Sequence, residues 1–186
     1  LGGSENHKKG FGPLVSGVKH AKYNDINSVE SLITNKTAAI IIEPVQGEAG
    51  IFEVDKGFLK SLRELCDENG TLLIMDEVQS GIGRMGYLFG YMKYDIQPDI
   101  LTSAKGLGGG IPIGATLTKN DIAPSLSIGT HGSTFGGNPI ACAVANKVIH
   151  IVSDPAFLNA VQQKEELIMS SLSDIAINTK AFSDMR

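Results

Sequence analysis

Five stretches of this 186-residue chain carry side chains able to do chemistry. Lys105 sits in Ser103-Ala104-Lys105-Gly106-Leu107-Gly108-Gly109-Gly110. A lysine that condenses with a carbonyl must shed its proton near neutral pH, which calls for partial desolvation and nearby charge. The glycines let backbone pass close to a flat ligand. The plainer alternative is a loop lysine. Asp76-Glu77-Val78-Gln79 closes the apolar run Leu72-Leu73-Ile74-Met75. That pattern is shared with the Mg-binding strand of nucleotide hydrolases, which also needs a GxxxxGK[ST] loop absent from these 186 residues. A solvated acidic strand end is the other reading.

Three further stretches are less specific alone. Glu43-Pro44-Val45-Gln46-Gly47-Glu48 suits a site loop or an ordinary turn. Gly81-Ile82-Gly83-Arg84-Met85-Gly86 matches GxGxxG, but Glu77 to Ser80 separate it from its strand, so a flexible loop is preferred to a dinucleotide site. His131-Gly132-Ser133-Thr134-Phe135-Gly136-Gly137-Asn138-Pro139 offers hydroxyls and amides before a helix start, where a phosphate can bind, or it only caps the helix. His131 departs from the GxSxG pattern of a hydrolase elbow.

The elements that must position these residues alternate in type. Ala38 to Ile42, Thr71 to Met75, Asp99 to Ser103 and Ile113 to Thr118 read as strands, the first two buried. Phe58, Leu59, Leu62, Leu65 and Cys66 recur at helical spacing between an Asp55 N-cap and a Gly70 stop. Leu88 to Tyr94 reads as a short helix. Asn138-Pro139 opens a helix to Val152, and Pro155 opens another with Leu158, Val161, Ile168 and Leu172 on one face. Such alternation predicts an α/β fold, a mostly parallel sheet flanked by helices. Ligands in such sheets bind beyond the carboxyl ends of the strands, where these motifs fall.

The composition excludes several partners. A net charge of −4 leaves no basic footprint for nucleic acid or an anionic membrane. No apolar run approaches the ~20 residues that span a bilayer. Cys66 and Cys142 stand far apart, outside any metal-ligand spacing, so buried thiols and a cytoplasmic location are expected and no metal site is. The chain begins at Leu1 rather than Met and reads as a piece of a longer protein.

In order and in spacing, the five motifs resemble the class III pyridoxal-phosphate-dependent aminotransferases, most of all those of the acetylornithine type. Lys105 stands midway between Asp76 and Thr134, and Gly10-Phe11-Gly12-Pro13-Leu14 and Tyr23-Asn24-Asp25 extend the likeness upstream. The resemblance implies the pyridoxal-phosphate transferase fold type I. Residues 1–152 belong to a truncated cofactor-binding large domain, and residues 153–186 begin the small C-terminal domain. The implied cofactor is pyridoxal 5'-phosphate. Asp76 pairs with its pyridine nitrogen, Val78 packs on its ring and Gln79 bonds the ring hydroxyl. Lys105 carries the cofactor and moves the proton. Thr134 reaches the phosphate in the neighbouring subunit of a homodimer with shared active sites. Glu48 lies near the substrate pocket, where the family uses it to hold a substrate-binding Arg aside, and Glu43 plays a supporting part.

The implied reaction moves an amino group from N-acetylornithine, or a similar ω-amino donor, to 2-oxoglutarate, in arginine or lysine biosynthesis. Donors used elsewhere in the class stay open: ornithine, succinylornithine, succinyldiaminopimelate and 4-aminobutyrate. So do two readings outside it, a nucleotide hydrolase built on Asp76-Glu77 and a non-catalytic remnant. The family's upstream phosphate loop, its ring-covering aromatic and its C-terminal substrate Arg have no counterpart here. The arginines are Arg63, Arg84 and Arg186, none in that position. This piece alone is therefore expected to be inactive.

Overall fold

The structure is a computed structural model that describes residues 2–179 and 185. Four strands form its main sheet: β1 (Ala39–Ile42), β4 (Leu72–Asp76), β5 (Ile100–Ser103) and β6 (Ala115–Thr118), in the order β1-β4-β5-β6. β1 with β4 and β4 with β5 are parallel, and β5 with β6 is antiparallel. A two-stranded ribbon of β2 (Val45–Gln46) and β3 (Phe52–Glu53) follows the end of β1. The expected α/β architecture with a mostly parallel sheet is present, and the strand bounds shift by one or two residues.

The helices are α1 (Glu5–Lys8), α2 (Ile26–Glu30), α3 (Lys56–Asn69), α4 (Pro139–Val152) and α5 (Pro155–Thr179). The capping signals work as expected. Asp55 accepts from the Phe58 N–H, Gly70 closes α3 in the left-handed region at φ 62°, and Asn138 accepts from the Ala141 N–H. The short helix expected over Leu88 to Tyr94 is present as a 3-10 helix, Gly90–Tyr94, starting two residues later.

The core lies between α3 and β4. Phe58, Leu59, Leu62 and Cys66 on the helix meet Leu73 and Met75 on the strand, with Val29, Val54 and Tyr94 around them. Burial pushes the Cys66 thiol up to about 11, which makes it a packing group rather than a nucleophile. β1 is less buried than expected: Ile40 and Ile42 face the α3 core, while Ile41 points to the opposite face of the sheet and is 47% exposed. On α5, Leu158, Val161 and Leu172 are half-buried, but Ile168 is exposed. The first turns of α5 are the ones that meet the body, where Gln162 Nε2 donates to the Gly86 carbonyl at 3.0 Å.

The amino ends of the strands are tied by one carboxylate. Asp99 accepts from the Leu73 N–H at 2.8 Å, from Arg63 Nη1 at 2.8 Å and from Lys119 Nζ at 2.6 Å. It thereby joins α3, β4 and the residue after β6. Burial raises its carboxyl pKa, but the Leu73 amide, Lys119 and Arg63 outweigh that and leave it below the ordinary value. A depressed folded pKa stabilises the protein above the unfolded value and loses that contribution as the pH falls through the folded one. Asp99→Asn in the full-length protein should lower stability at neutral pH by about 1.5–3 kcal/mol in urea denaturation. The gap from wild type should begin to close below the ordinary Asp pKa of about 3.9. A gap that is unchanged down to acid unfolding would show that Asp99 contributes through packing alone.

Candidate functional site

The parallel pairing of β4 with β5 brings two motifs together. Asp76, the last residue of β4, lies opposite Thr102, and the Glu77 N–H continues the ladder to the Thr102 carbonyl at 3.0 Å. Asp76 Oδ1 accepts from the Thr102 hydroxyl at 3.2 Å and from the Val78 N–H at 3.1 Å. Neither bond uses Oδ2. The Asp76 carboxylate is thus oriented from two strands, half-buried at their carboxyl ends.

Lys105 opens a 3-10 turn, Lys105–Gly108, two residues after β5. Its Nζ donates to Gln79 Oε1. Lys105 takes φ 46° and Ile82, in the loop below, takes φ 53°. Left-handed backbone at residues other than glycine costs on the order of 1–3 kcal/mol and is kept where the surroundings over-determine it. Lys105 is exposed, which corrects the expectation of a partly desolvated amine. The tight turn leaves the amine on the open side of the strand ends, against the Gln79 amide.

Glu43 joins this group from the end of β1. Burial and then the charge of Asp76 push its carboxyl above the ordinary range, while the Gly47 N–H and Lys105 pull it down. Glu48 adds to the upward push. Glu48 itself is exposed in the following turn. The turn is held from below by Tyr23, whose hydroxyl donates to the carbonyls of Glu43 at 3.0 Å and Pro44 at 3.2 Å. Gly47 packs directly on the Gln79 amide, and a Cβ at this position would overlap Gln79 Nε2.

The structure therefore gathers Glu43, Asp76, Val78, Gln79 and Lys105 at one end of the sheet, with Glu48 within electrostatic reach. Thr134 lies in an exposed loop whose bonds are local, such as Gly136 N–H to Ser133 Oγ at 2.9 Å. Sequence reasoning missed Thr102 and Tyr23 as partners. The alternation in Ile100–Ser103 could have revealed Thr102, since it puts Thr102 beside the neighbouring strand's last residue. Glu77 is not a solvated strand-end acid: it has no exposed surface and its oxygens face N–H and O–H donors. That leaves no face for a magnesium ion, and among the described residues no acidic, His or Cys group is placed to hold a metal. The glycine loop at 81–86 is packed rather than flexible, with Gly83 against Val152 and Gly86 against Gln162.

These features define an α/β protein that gathers an amine, an amide and carboxyl groups beyond the carboxyl ends of parallel strands. Residues 1–186 match the family model for aminotransferase class III. The chain is 50% identical over 185 residues to a succinylornithine transaminase of Salmonella paratyphi B, covering all of this chain and 45% of that protein. It is 47% identical over 186 residues to an acetylornithine aminotransferase of Pseudomonas putida, covering 46% of it. The crystal structure of acetylornithine aminotransferase from Elizabethkingia anophelis superposes with a TM-score of 0.83 at 40% identity, over 88% of this chain and 44% of that one. The chain belongs to the class III aminotransferases and has their fold. It spans about half the length of the curated relatives it matches.

The contact between Gly47 and Gln79 gives a direct test of this geometry. Gly47→Ala meets the movable end of a side chain, so the stability of the full-length protein should change by no more than about 1 kcal/mol. The Gln79 amide should swing away from Lys105 in a crystal structure of the variant. An unmoved amide would mean that the 43–48 turn gives way instead.

Proposed function

We propose that the full-length protein is a pyridoxal-phosphate-dependent aminotransferase that moves the ω-amino group of an acylated ornithine to 2-oxoglutarate. The observation that carries the reading is the Lys105 amine held on Gln79, beside an oriented Asp76, at the ends of adjacent parallel strands. The names of the two relatives support N-acetylornithine and N-succinylornithine as donors. The donor set fits pyridoxal phosphate. Asp76 Oδ2 suits a protonated ring nitrogen, the Gln79 amide suits a phenolic oxygen, and Lys105 supplies the amine that takes up the aldehyde.

When bound, the cofactor supplies an electron sink for breaking bonds at the carbon that bears the amino group. The chain's own residues do the rest. Asp76, fixed by Thr102 and the Val78 amide, keeps a proton on its partner nitrogen, because a nearby opposite charge favours the charged form. Val78 packs against the ring. Lys105 binds the cofactor and, once displaced, carries a proton on Nζ between neighbouring atoms of the substrate. Glu48, exposed beside Glu43, borders the substrate entrance.

Thr134 serves the partner subunit of a homodimer, a role its place in an exposed loop supports. The large domain takes in residues up to 152, and the helix from Pro155 begins the small domain. The compartment is the cytoplasm, in keeping with the two free cysteines. No single described helix is long and apolar enough to cross a membrane.

Two experiments test the reading. The full-length protein is incubated with pyridoxal phosphate, reduced with borohydride and mapped by peptide mass. The label should lie on Lys105, and Lys105→Ala should lose both the visible absorbance and the transfer of nitrogen from either acylornithine to 2-oxoglutarate. A label elsewhere, or none, overturns the assignment. For the shared site, Thr134→Ala should weaken cofactor binding by about 1.5–3 kcal/mol, as for a lost hydrogen bond to a charged group. Mixing Thr134→Ala with Lys105→Ala subunits should restore some tight binding, because a hybrid dimer holds one intact site. Hybrids that restore none place both residues in one subunit's site.

A further inference from the structure

Glu77 has no part in that scheme, yet it is the most deeply buried carboxyl among the described residues. Its Oε2 accepts from the Ser80 hydroxyl at 2.7 Å and the Gly90 N–H at 2.8 Å, and its Oε1 from the Tyr91 N–H at 2.6 Å. Its backbone is fixed as well. The N–H donates to the Thr102 carbonyl and the carbonyl accepts from the Gly81 N–H, both at 3.0 Å. The Gly90 approach is one that glycine allows: a Cβ there would lie 2.7 Å from Met85 Sδ and 3.1 Å from Glu77 Oε2. No described cation pairs with this carboxylate. Burial pushes its pKa up, the three donors pull it back, and Asp76 adds a further upward push.

A buried carboxylate without a cation is an expensive way to fill space, and an apolar side chain would do so at less cost. What the carboxylate adds is direction, because two charge-assisted bonds, from Gly90 and Tyr91, cross between two chain segments, and a third, from Ser80, orients the carboxylate within its own turn. The segments are the turn 77–81, which carries Val78 and Gln79, and the 3-10 turn Gly90–Tyr94. We infer that Glu77 is a positioning residue, whose carboxylate clamps the 77–81 turn onto the Gly90–Tyr94 turn and so sets where Gln79 presents its amide to Lys105. The inference rests on the aminotransferase reading and gives a role to a side chain that reading leaves unused.

The test uses the full-length protein loaded with pyridoxal phosphate and the variants Glu77→Gln, Gln79→Ala, Ser80→Ala and the Glu77→Gln/Gln79→Ala double. Gln at position 77 turns an amide N–H toward a backbone N–H and breaks one strut. The expected loss in kcat is on the order of tenfold to a hundredfold, the scale of a misplaced group. KM should move much less, and the pH midpoint of the visible absorbance should shift. Because the effect runs through Gln79, Glu77→Gln should add little in the Gln79→Ala background. Additive losses in this cycle, or an unchanged kcat and midpoint in folded Glu77→Gln, overturn the inference. If Glu77→Gln does not fold, Ser80→Ala decides: it removes one donor and should shift the midpoint in the same direction as Gln79→Ala. An unshifted midpoint in Ser80→Ala then overturns the clamp. A wild type that holds no cofactor on Lys105 overturns the aminotransferase reading and this inference with it. A cofactor-bearing wild type with insensitive variants overturns this inference alone.

Discussion

The parallel register of β4 against β5 is the constraint on which the rest depends. Asp76 opposite Thr102 puts two strand ends side by side, and everything of chemical interest leaves from them. The chain that leaves β4 carries Glu77, Val78 and Gln79, and the chain that leaves β5 reaches Lys105 within two residues. A slip of one residue would turn Thr102 to the other face of the sheet and take its hydroxyl from Asp76. The register is in turn pinned from the amino ends by Asp99, which bonds the Leu73 amide and holds Arg63 and Lys119. The sheet thus has a salt-bridged end that fixes alignment and an opposite end that uses it.

Strain and packing at the second end point the same way. Lys105 and Ile82 both hold left-handed backbone, which a β-branched residue in particular resists. Gly47 sits against the Gln79 amide, and Gly90 against Met85 Sδ and the Glu77 carboxylate, so two glycines admit backbone where a side chain would crowd the groups of the site. Stability gains nothing evident from these arrangements. They become intelligible as positional devices, since each fixes an atom of the cluster or the turn that bears it.

Much of this was legible in the sequence. Periodicity and caps gave α3 its bounds, because Asp55 and Gly70 act through local bonds that need no knowledge of the fold. The motifs at Glu43, Asp76 and Lys105 were found at strand ends for the same reason. The sequence was less informative where pairing between distant segments decides the outcome. Glu77 reads as a solvated acid because the two donors that come from a distant segment, Gly90 and Tyr91, are backbone amides, which no side-chain pattern announces. The apolar run at β1 predicts a buried strand, but burial depends on neighbours, and Ile41 points to the sheet face away from the α3 core. The glycine run at 81–86 matches a loop pattern, yet Val152 and Gln162, far along the chain, pack it closed.

The placement of Thr134 follows the same logic in reverse. The loop from Ala123 to Gly137 is exposed throughout, with Ile128 and Phe135 open to solvent and its bonds made within itself. Its inner end is nonetheless well anchored, since Asn138 caps α4, and α4 packs Val144 and Val148 against Gly109 just beyond Lys105. The loop is thus fixed at its base by the same turn that sets Lys105. A fixed base under an exposed loop is what the proposed role of Thr134 in a partner subunit's site would require.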